Sequence, residues 1–233
     1  PWRVMAVTFT NKAAREMRTR LEGLLGPSRA GSLTLGTFHA TCARILRREA
    51  EAAGISRDYV IFDTDDQRQL IKQALEDLNL DDKRYRPRSM HAAISHAKSN
   101  LMPPEGYTAQ SYYDEIVKRV YERYQALLTA NSGLDFDDLI IMATSLLDNN
   151  SEGILDRLRK RYKHILVDEF QDTDPRQWRI IDLLWNEGKG SRLFIVGDPK
   201  QSIYGFRFAD VRLFNRAAKQ MGNHPEGDVV VLD

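Results

Sequence analysis

Apolar and polar positions along this chain follow two rhythms. Short unbroken apolar runs, Val4-Met5-Ala6-Val7, Ile165-Leu166-Val167 and Leu193-Phe194-Ile195-Val196, stand near its beginning and end. A run of that length bounded by polar residues is the pattern of a strand covered on both faces, as in a parallel sheet packed against helices. The predicted strands are Val4 to Thr8, Ser32 to Leu35, one at Ile165, one at Leu193, and Val229 to Leu232. Between them the period becomes helical. Asn11 to Leu25 reads as a helix closed by Gly26-Pro27, and Phe38 to Ala53 as a helix closed by Gly54. From there to about Ser132 nearly everything is helical. Leu70, Ile71, Ala74, Leu75 and Leu78 repeat at helical spacing behind a cap at Asp63 or Thr64, and Ile116, Val120, Tyr124, Leu127 and Leu128 do likewise. Met102-Pro103-Pro104-Glu105-Gly106 separates these pieces. A helix resumes at Asp135, and Asp172 and Asp174, ahead of Pro175, are expected to cap one that ends near Trp185. The expected fold is a parallel α/β domain over residues 1–54 and 132–233, interrupted by an all-helical subdomain over 55–131.

Two of the apolar runs end abruptly in acid: Asp168-Glu169 follows Val167, and Gly197-Asp198 follows Val196. In parallel α/β sheets ligands bind beyond the carboxyl ends of the strands, so these carboxylates and the nearby Gln201 fall where nucleotides bind. Hydrolysis of a nucleoside triphosphate needs a carboxylate for magnesium and a polar group to orient the attacking water. Adjacent residues leaving a strand point different ways, so Asp168 and Glu169 can divide those roles. Gln171 and Gln201 can hydrogen-bond a terminal phosphate or the water without adding negative charge. Acids after a strand also cap helices or solvate turns, and that reading stands beside the catalytic one.

Composition narrows the function less than the pattern does. With 233 residues, 42% hydrophobic and 29% charged, the chain can bury a real core. Its net charge of +1 is nearly neutral, so any case for nucleic acid rests on local patches. Arg44, Arg47 and Arg48 cluster on one predicted helix; Lys83, Arg84, Arg86 and Arg88 on a loop; Arg157, Arg159, Lys160, Arg161 and Lys163 before the Ile165 strand. Such runs are more often solvated faces than phosphate contacts. The lone Cys42 excludes a disulfide framework and is expected in the core. His91 and His96 have no Cys or acid at ligand spacing, so no zinc site is expected. Tyr112, Tyr113, Tyr121 and Tyr124 are expected to pack within the helical subdomain. No signal peptide or bilayer-length apolar stretch occurs, and a cytoplasmic location is expected.

Asp168-Glu169-Phe170-Gln171-Asp172 resembles motif II of the UvrD/PcrA/Rep group of superfamily 1 DNA helicases, and Val196-Gly197-Asp198-Pro199-Lys200-Gln201-Ser202-Ile203-Tyr204-Gly205-Phe206-Arg207 resembles their motif III. Ala6 to Met17, with Thr8-Phe9-Thr10-Asn11, is similar to motif Ia, and Gly36-Thr37-Phe38-His39-Ala40 to motif Ib. Leu134-Asp135-Phe136-Asp137-Asp138-Leu139 matches a further signature of the group. One such segment is a weak match; several in the family's order are a strong one. The resemblance implies a RecA-like P-loop NTPase sheet flanked by helices with an inserted all-helical subdomain, working in an ATP-dependent 3′–5′ DNA helicase with ATP and Mg²⁺ as cofactors. It implies Asp168 as the magnesium-associated carboxylate, Glu169 as the base that activates water, Gln201 as the sensor of the terminal phosphate beside Gln171, and Arg207 as the coupling residue. Phe9, Thr10, Thr37, Phe38 and His39 align with the single-strand path, and Tyr204 and Phe206 with aromatics that stack on bases. Stacking serves a motor that must pass every sequence, because each base offers a π-face.

No G-x-x-x-x-G-K-[ST] occurs in the chain, so it is expected to be a fragment that lacks the family's phosphate loop and second motor domain, inactive by itself. The partners implied are single-stranded DNA, single/double-strand junctions, and repair or replication proteins. Where many members carry Trp this chain has Phe206, and Pro199-Lys200 is reminiscent of the AddA/RecB helicase-nucleases. The alternatives are the motor portion of such a helicase-nuclease, or a non-catalytic single-strand-binding module.

Overall fold

A computed structural model describes residues 1–186, 191–201, 211–223 and 228–230. Along the chain come strand β1 (Val4–Thr8), helices α1 (Asn11–Leu25) and α2 (Pro27–Gly31), strand β2 (Thr34–Thr37), helix α3 (Phe38–Arg48), strand β3 (Val60–Ile61), and helices α4 (Thr64–Asp77), α5 (Pro87–Ser99) and α6 (Tyr112–Ala130). Strand β4 (Gly133–Leu134), helices α7 (Phe136–Asp148) and α8 (Ile154–Arg161), strand β5 (His164–Val167), helix α9 (Pro175–Trp185), strand β6 (Arg192–Ile195) and helix α10 (Val211–Gly222) complete it. The chain divides into two compact units, Pro1–Thr41 with Leu147–Asp233, and Cys42–Leu146.

The first unit holds a four-stranded sheet in the order β2-β1-β5-β6, every neighbouring pair parallel. Met5, Ala6, Val7, Ile165 and Val167 are buried along its central strands, as their unbroken apolar runs predict. Leu35, Ala6 and Ala14 form one packed cluster with Met17, Leu21 and Leu166, which seats α1 on β1 and β2. The predicted strand at Ser32 to Leu35 lies two residues later, because Ser32 closes the end of α2 by donating its hydroxyl to the Arg29 carbonyl at 2.7 Å. Val229 and Val230 are not in a strand, contrary to expectation, and the rest of that predicted strand lies outside the described residues.

The second unit is built on α4, α5 and α6. Leu70, Ile71, Ala74 and Leu75 of α4, Met90, Ile94 and Ala97 of α5, and Ile116, Val120, Tyr124 and Leu128 of α6 make one buried cluster. Asp63 caps α4 by accepting the N–H groups of Asp65 and Asp66, and Asp66 returns a bond to the Asp63 N–H, which settles Asp63 over Thr64 as the cap. Cys42 is buried, as expected. Of the tyrosines expected to pack here, Tyr121 and Tyr124 are buried, whereas Tyr112 and Tyr113 are exposed in the first turn of α6. The pair β3 and β4, parallel and two residues long each, carries no periodicity that sequence can show.

A buried ionic cluster ties α5 to α6 and α7. Lys98 donates to Asp135 at 2.6 Å and to Asp138 at 2.7 Å, and the Tyr124 hydroxyl donates to Asp135 at 2.9 Å. Burial pulls the Lys98 ammonium toward deprotonation, but the two carboxylates more than offset it and hold its pKa above the ordinary lysine value. Burial raises Asp135, yet Lys98, the Asp138 N–H and Tyr124 together hold it below its ordinary value. Burial and then the neighbouring Asp135 charge push Asp138 up to about 6. The acidic signature from Leu134 to Leu139 therefore includes the structural partners of a lysine buried far from it in sequence.

Candidate nucleotide and strand-handling edge

Because all four strands of the first unit run parallel, their carboxyl ends share one edge, and this edge carries most of the residues singled out in the sequence. Thr8 and Thr37 are register partners at the ends of β1 and β2. The Asp168 N–H donates to the Val7 carbonyl at 2.9 Å, and the Val196 N–H to the Val167 carbonyl at 2.8 Å, which extends the pairing to the start of each acidic segment. Chain order reverses between β1, which leads to β2, and β5, which leads to β6; an opening at such a reversal is where open α/β sheets bind ligands.

Asp168 is half-buried, and its carboxylate accepts no hydrogen bond among the described residues. Glu169, next to it, is held on two sides. Its backbone is left-handed (φ 53°, ψ 39°), which swings the chain out of β5 into a tight turn over Phe170–Asp172. Its Oε2 accepts the Thr8 hydroxyl at 2.9 Å, from the neighbouring strand. A non-glycine residue costs about 1 to 3 kcal/mol in that backbone region, and such strain gathers at functional sites.

The β5 and β6 ends are bolted together. The Phe170 N–H donates to the Val196 carbonyl at 3.0 Å, and the buried Gln171 accepts the Asp198 N–H at 3.1 Å. Asp198 in turn accepts the Lys200 N–H and the Gln201 side-chain amide, each at 2.9 Å, so Gln201 is folded back toward the acid. A side-chain carbon on Gly197 would come within 2.6 Å of Gln171 Oε1 and 3.1 Å of the Phe170 backbone nitrogen, so only glycine lets the two segments approach this closely. Beneath them the Phe170 ring meets Trp178 edge-on at 5.4 Å and Phe214 at 5.7 Å.

Asp174 caps α9, accepting the N–H groups of Arg176 and Gln177, with Pro175 in the first turn. Asp172 does not share that role, contrary to expectation. It lies in the turn before α9, buried, with Oδ1 unbonded among the described residues, and burial first, then the Glu169 charge, raises its pKa. The left-handed step at Glu169 opens a tight turn in which the Asp172 N–H donates to the Glu169 carbonyl at 3.0 Å, so Asp172 is taken up by that turn rather than by the start of α9.

On the other half of the edge, Thr10 caps α1 by accepting the Ala13 N–H at 3.1 Å, and Thr37 accepts the Ala40 N–H at 3.2 Å. Phe9 and His39 are half-buried, whereas Phe38 is 3% exposed and packs as core. Tyr204, Phe206 and Arg207 lie outside the described residues. Sequence reasoning did not single out Thr8 or Gly197. The signal for Thr8 was a polar residue closing an apolar run, and for Gly197 a glycine between strand and acid. Among the described residues no three His, Cys, Asp or Glu side chains cluster as metal ligands. Magnesium is commonly held by one or two carboxylates, water and substrate phosphates, a donor set that Asp168 fits.

The family model of the UvrD/REP helicase N-terminal domain matches residues 1–222. The chain is 42% identical over 235 aligned positions to the ATP-dependent DNA helicase PcrA of Bacillus subtilis (strain 168), covering 100% of this chain and 31% of that protein. Proteins of the same name from Leuconostoc citreum and Staphylococcus aureus (strain Mu50 / ATCC 700699) are 41% and 40% identical with the same coverage, so the chain spans about a third of the length of these relatives. No described helix is long and apolar enough to cross a membrane. With its motifs in order along one sheet edge and a family match over nearly its whole length, the chain belongs to the UvrD/REP helicase N-terminal domain family.

Proposed function

We propose that this chain is part of an ATP-dependent DNA helicase that moves 3′–5′ on single-stranded DNA, and that its sheet edge couples nucleotide state to strand grip. The observation that carries the reading is the shared edge: Asp168 and Glu169 stand at one side of the chain-order reversal, and the Thr8–Thr10 and Thr37–His39 segments at the other. In this reading Asp168 would help to hold Mg²⁺, which would neutralise phosphate charge when ATP is bound. Glu169, oriented by Thr8, takes the proton of the attacking water. Gln201 senses the terminal phosphate, with Gln171 fixing the loop that carries it and Arg207 relaying the change. Phe9, Thr10, Thr37 and His39, with Tyr204 and Phe206, form the strand track. Buried Phe38 serves it by anchoring the backbone.

ATP supplies the driving chemistry when bound; the side chains here orient water, accept its proton and register the loss of the phosphate. With no G-x-x-x-x-G-K-[ST] of its own, the isolated chain is expected to bind ATP weakly and not hydrolyse it. Anisotropy of a labelled single-stranded oligonucleotide, and ATP turnover by the longer protein, test the reading. Phe9→Ala should weaken strand binding by about 10-fold, in line with the 1 to 3 kcal/mol of a base stack, and Glu169→Gln should abolish turnover while ATP still binds. Magnesium-dependent turnover by the isolated chain that Glu169→Gln abolishes would overturn the expectation of inactivity; full turnover by the longer Glu169→Gln protein would overturn the role of the base.

A further inference from the structure

The second unit holds a cavity of about 580 Å³ lined by Arg44, Arg47, Arg48, Arg57, Asp58 and Tyr59. Arg44, Arg47 and Arg48 stand at i, i+3 and i+4 on α3, a spacing that puts them on one helix face. Two of these have an ordinary explanation, since cations are favoured in the last turn of a helix. That explanation does not reach Arg44, a turn earlier, or Arg57, which comes from the separate segment before β3. Like charges at this spacing repel, and with four guanidinium groups and the single carboxylate of Asp58 among its lining residues the cavity favours an anion.

The wall is also built. Buried Tyr59 donates its hydroxyl to the Ala43 carbonyl at 3.0 Å, which fixes the ring, and the Arg47 guanidinium lies over that ring at 5.0 Å from its centre. A stacked guanidinium keeps its edge donors directed outward, the arrangement suited to phosphate. Arg48 pairs with Glu49 at 2.9 Å, which leaves Arg47 and Arg57 as the residues to test.

We propose that this cavity binds phosphate groups of a nucleic-acid backbone, a contact separate from the sheet edge of the first unit and resting on the DNA-handling reading above. Backbone contact is sequence-independent and releases counterions, so it leaves a measurable salt slope. The test compares the 233-residue chain with its Arg47→Gln/Arg57→Gln variant in binding labelled duplex and single-stranded oligonucleotides from low to moderate salt. A Lys118→Gln/Arg119→Gln variant on α6, with the same charge change, is the control, and thermal melts check folding. Losing two phosphate contacts should flatten the slope of log K against log salt by about 1.8 on duplex or about 1.4 on single strand. The control should leave it unchanged, and Arg47→Lys/Arg57→Lys should restore most of it.

Equal flattening in the control would reduce the effect to overall charge and overturn the proposal. So would unchanged binding in the arginine variant, and Phe9→Ala weakening strand binding in that same background would show the strand-track reading surviving it. Inorganic pyrophosphate that binds with the same arginine dependence, while oligonucleotides do not compete, would assign the cavity to a free phosphate compound and overturn the nucleic-acid assignment. Absence of any oligonucleotide binding at low salt would also overturn it, while ATP turnover by the longer protein would still judge the motor reading separately.

Discussion

Glu169 shows how much one backbone angle decides. Its left-handed conformation turns the chain at the end of β5 and lets its carboxylate accept the Thr8 hydroxyl, while Asp168 one residue earlier stays clear of both. The neighbouring requirement is at Gly197, where the β5 and β6 ends close to van der Waals distance. Gly197→Ala would force a methyl group against the Gln171 amide oxygen and the Phe170 backbone, and backbone cannot rotate aside. We expect it to lower unfolding free energy by about 1 to 3 kcal/mol, read by urea denaturation; a variant as stable as the parent would show that the loop gives way easily. Both acids were legible in the sequence as acids ending apolar runs. Gln171 was read in the sequence as a partner for a terminal phosphate or the attacking water; its bond to the Asp198 N–H was not legible, because it crosses from one strand end to another.

Among the elements, those governed by local rules came out close to their predicted bounds. Gly54 does close the segment after α3: its N–H donates to Glu51 and the Ile55 N–H to Ala50, with Gly54 left-handed at φ 68°, although regular helix ends already at Arg48. The joining of α5 to α7 obeys no local rule. Lys98 and Asp135 are 37 residues apart, and nothing in the spacing of either helix announces the pair. Lys98→Ala would strand two buried carboxylates and should cost about 3 to 5 kcal/mol of stability. The pH dependence follows from Asp138. Its pKa is higher folded than unfolded, so the stability it lends is fully present below its ordinary 3.8 and lost as pH rises through about 6. Asp135, held low, acts oppositely and loses its contribution only on acidification, and the raised Lys98 loses its own only in strong alkali. Stability of the parent relative to Asp138→Asn should therefore fall by about 2 kcal/mol between pH 4 and pH 7, measured by urea denaturation at both. A difference that stays flat or rises would contradict this ionisation.

For the molecule as a whole, β6 stands at one end of the described sheet with Phe194 60% and Val196 46% exposed. A bare apolar edge strand is a template for pairing with other chains, and a net charge of +1 offers little repulsion between copies. Phe194→Lys should reduce self-association of the isolated chain in sedimentation velocity without lowering its melting temperature; an unchanged distribution would show that this edge is not what brings copies together. The sequence alone determined the class of fold, the places where α4 and α9 begin, the acids at two strand ends and the family motifs. Each of these depends on residues close together in the chain. Tertiary structure decided the rest: that Thr8 meets Glu169 across 161 residues, that Lys98 is neutralised by Asp135 and Asp138, that Phe38 turns into the core, and that Arg57 joins the arginines of α3 around one cavity. Such contacts have no local period, because they depend on which strands lie side by side and which helix faces close on each other once apolar surface is removed from water.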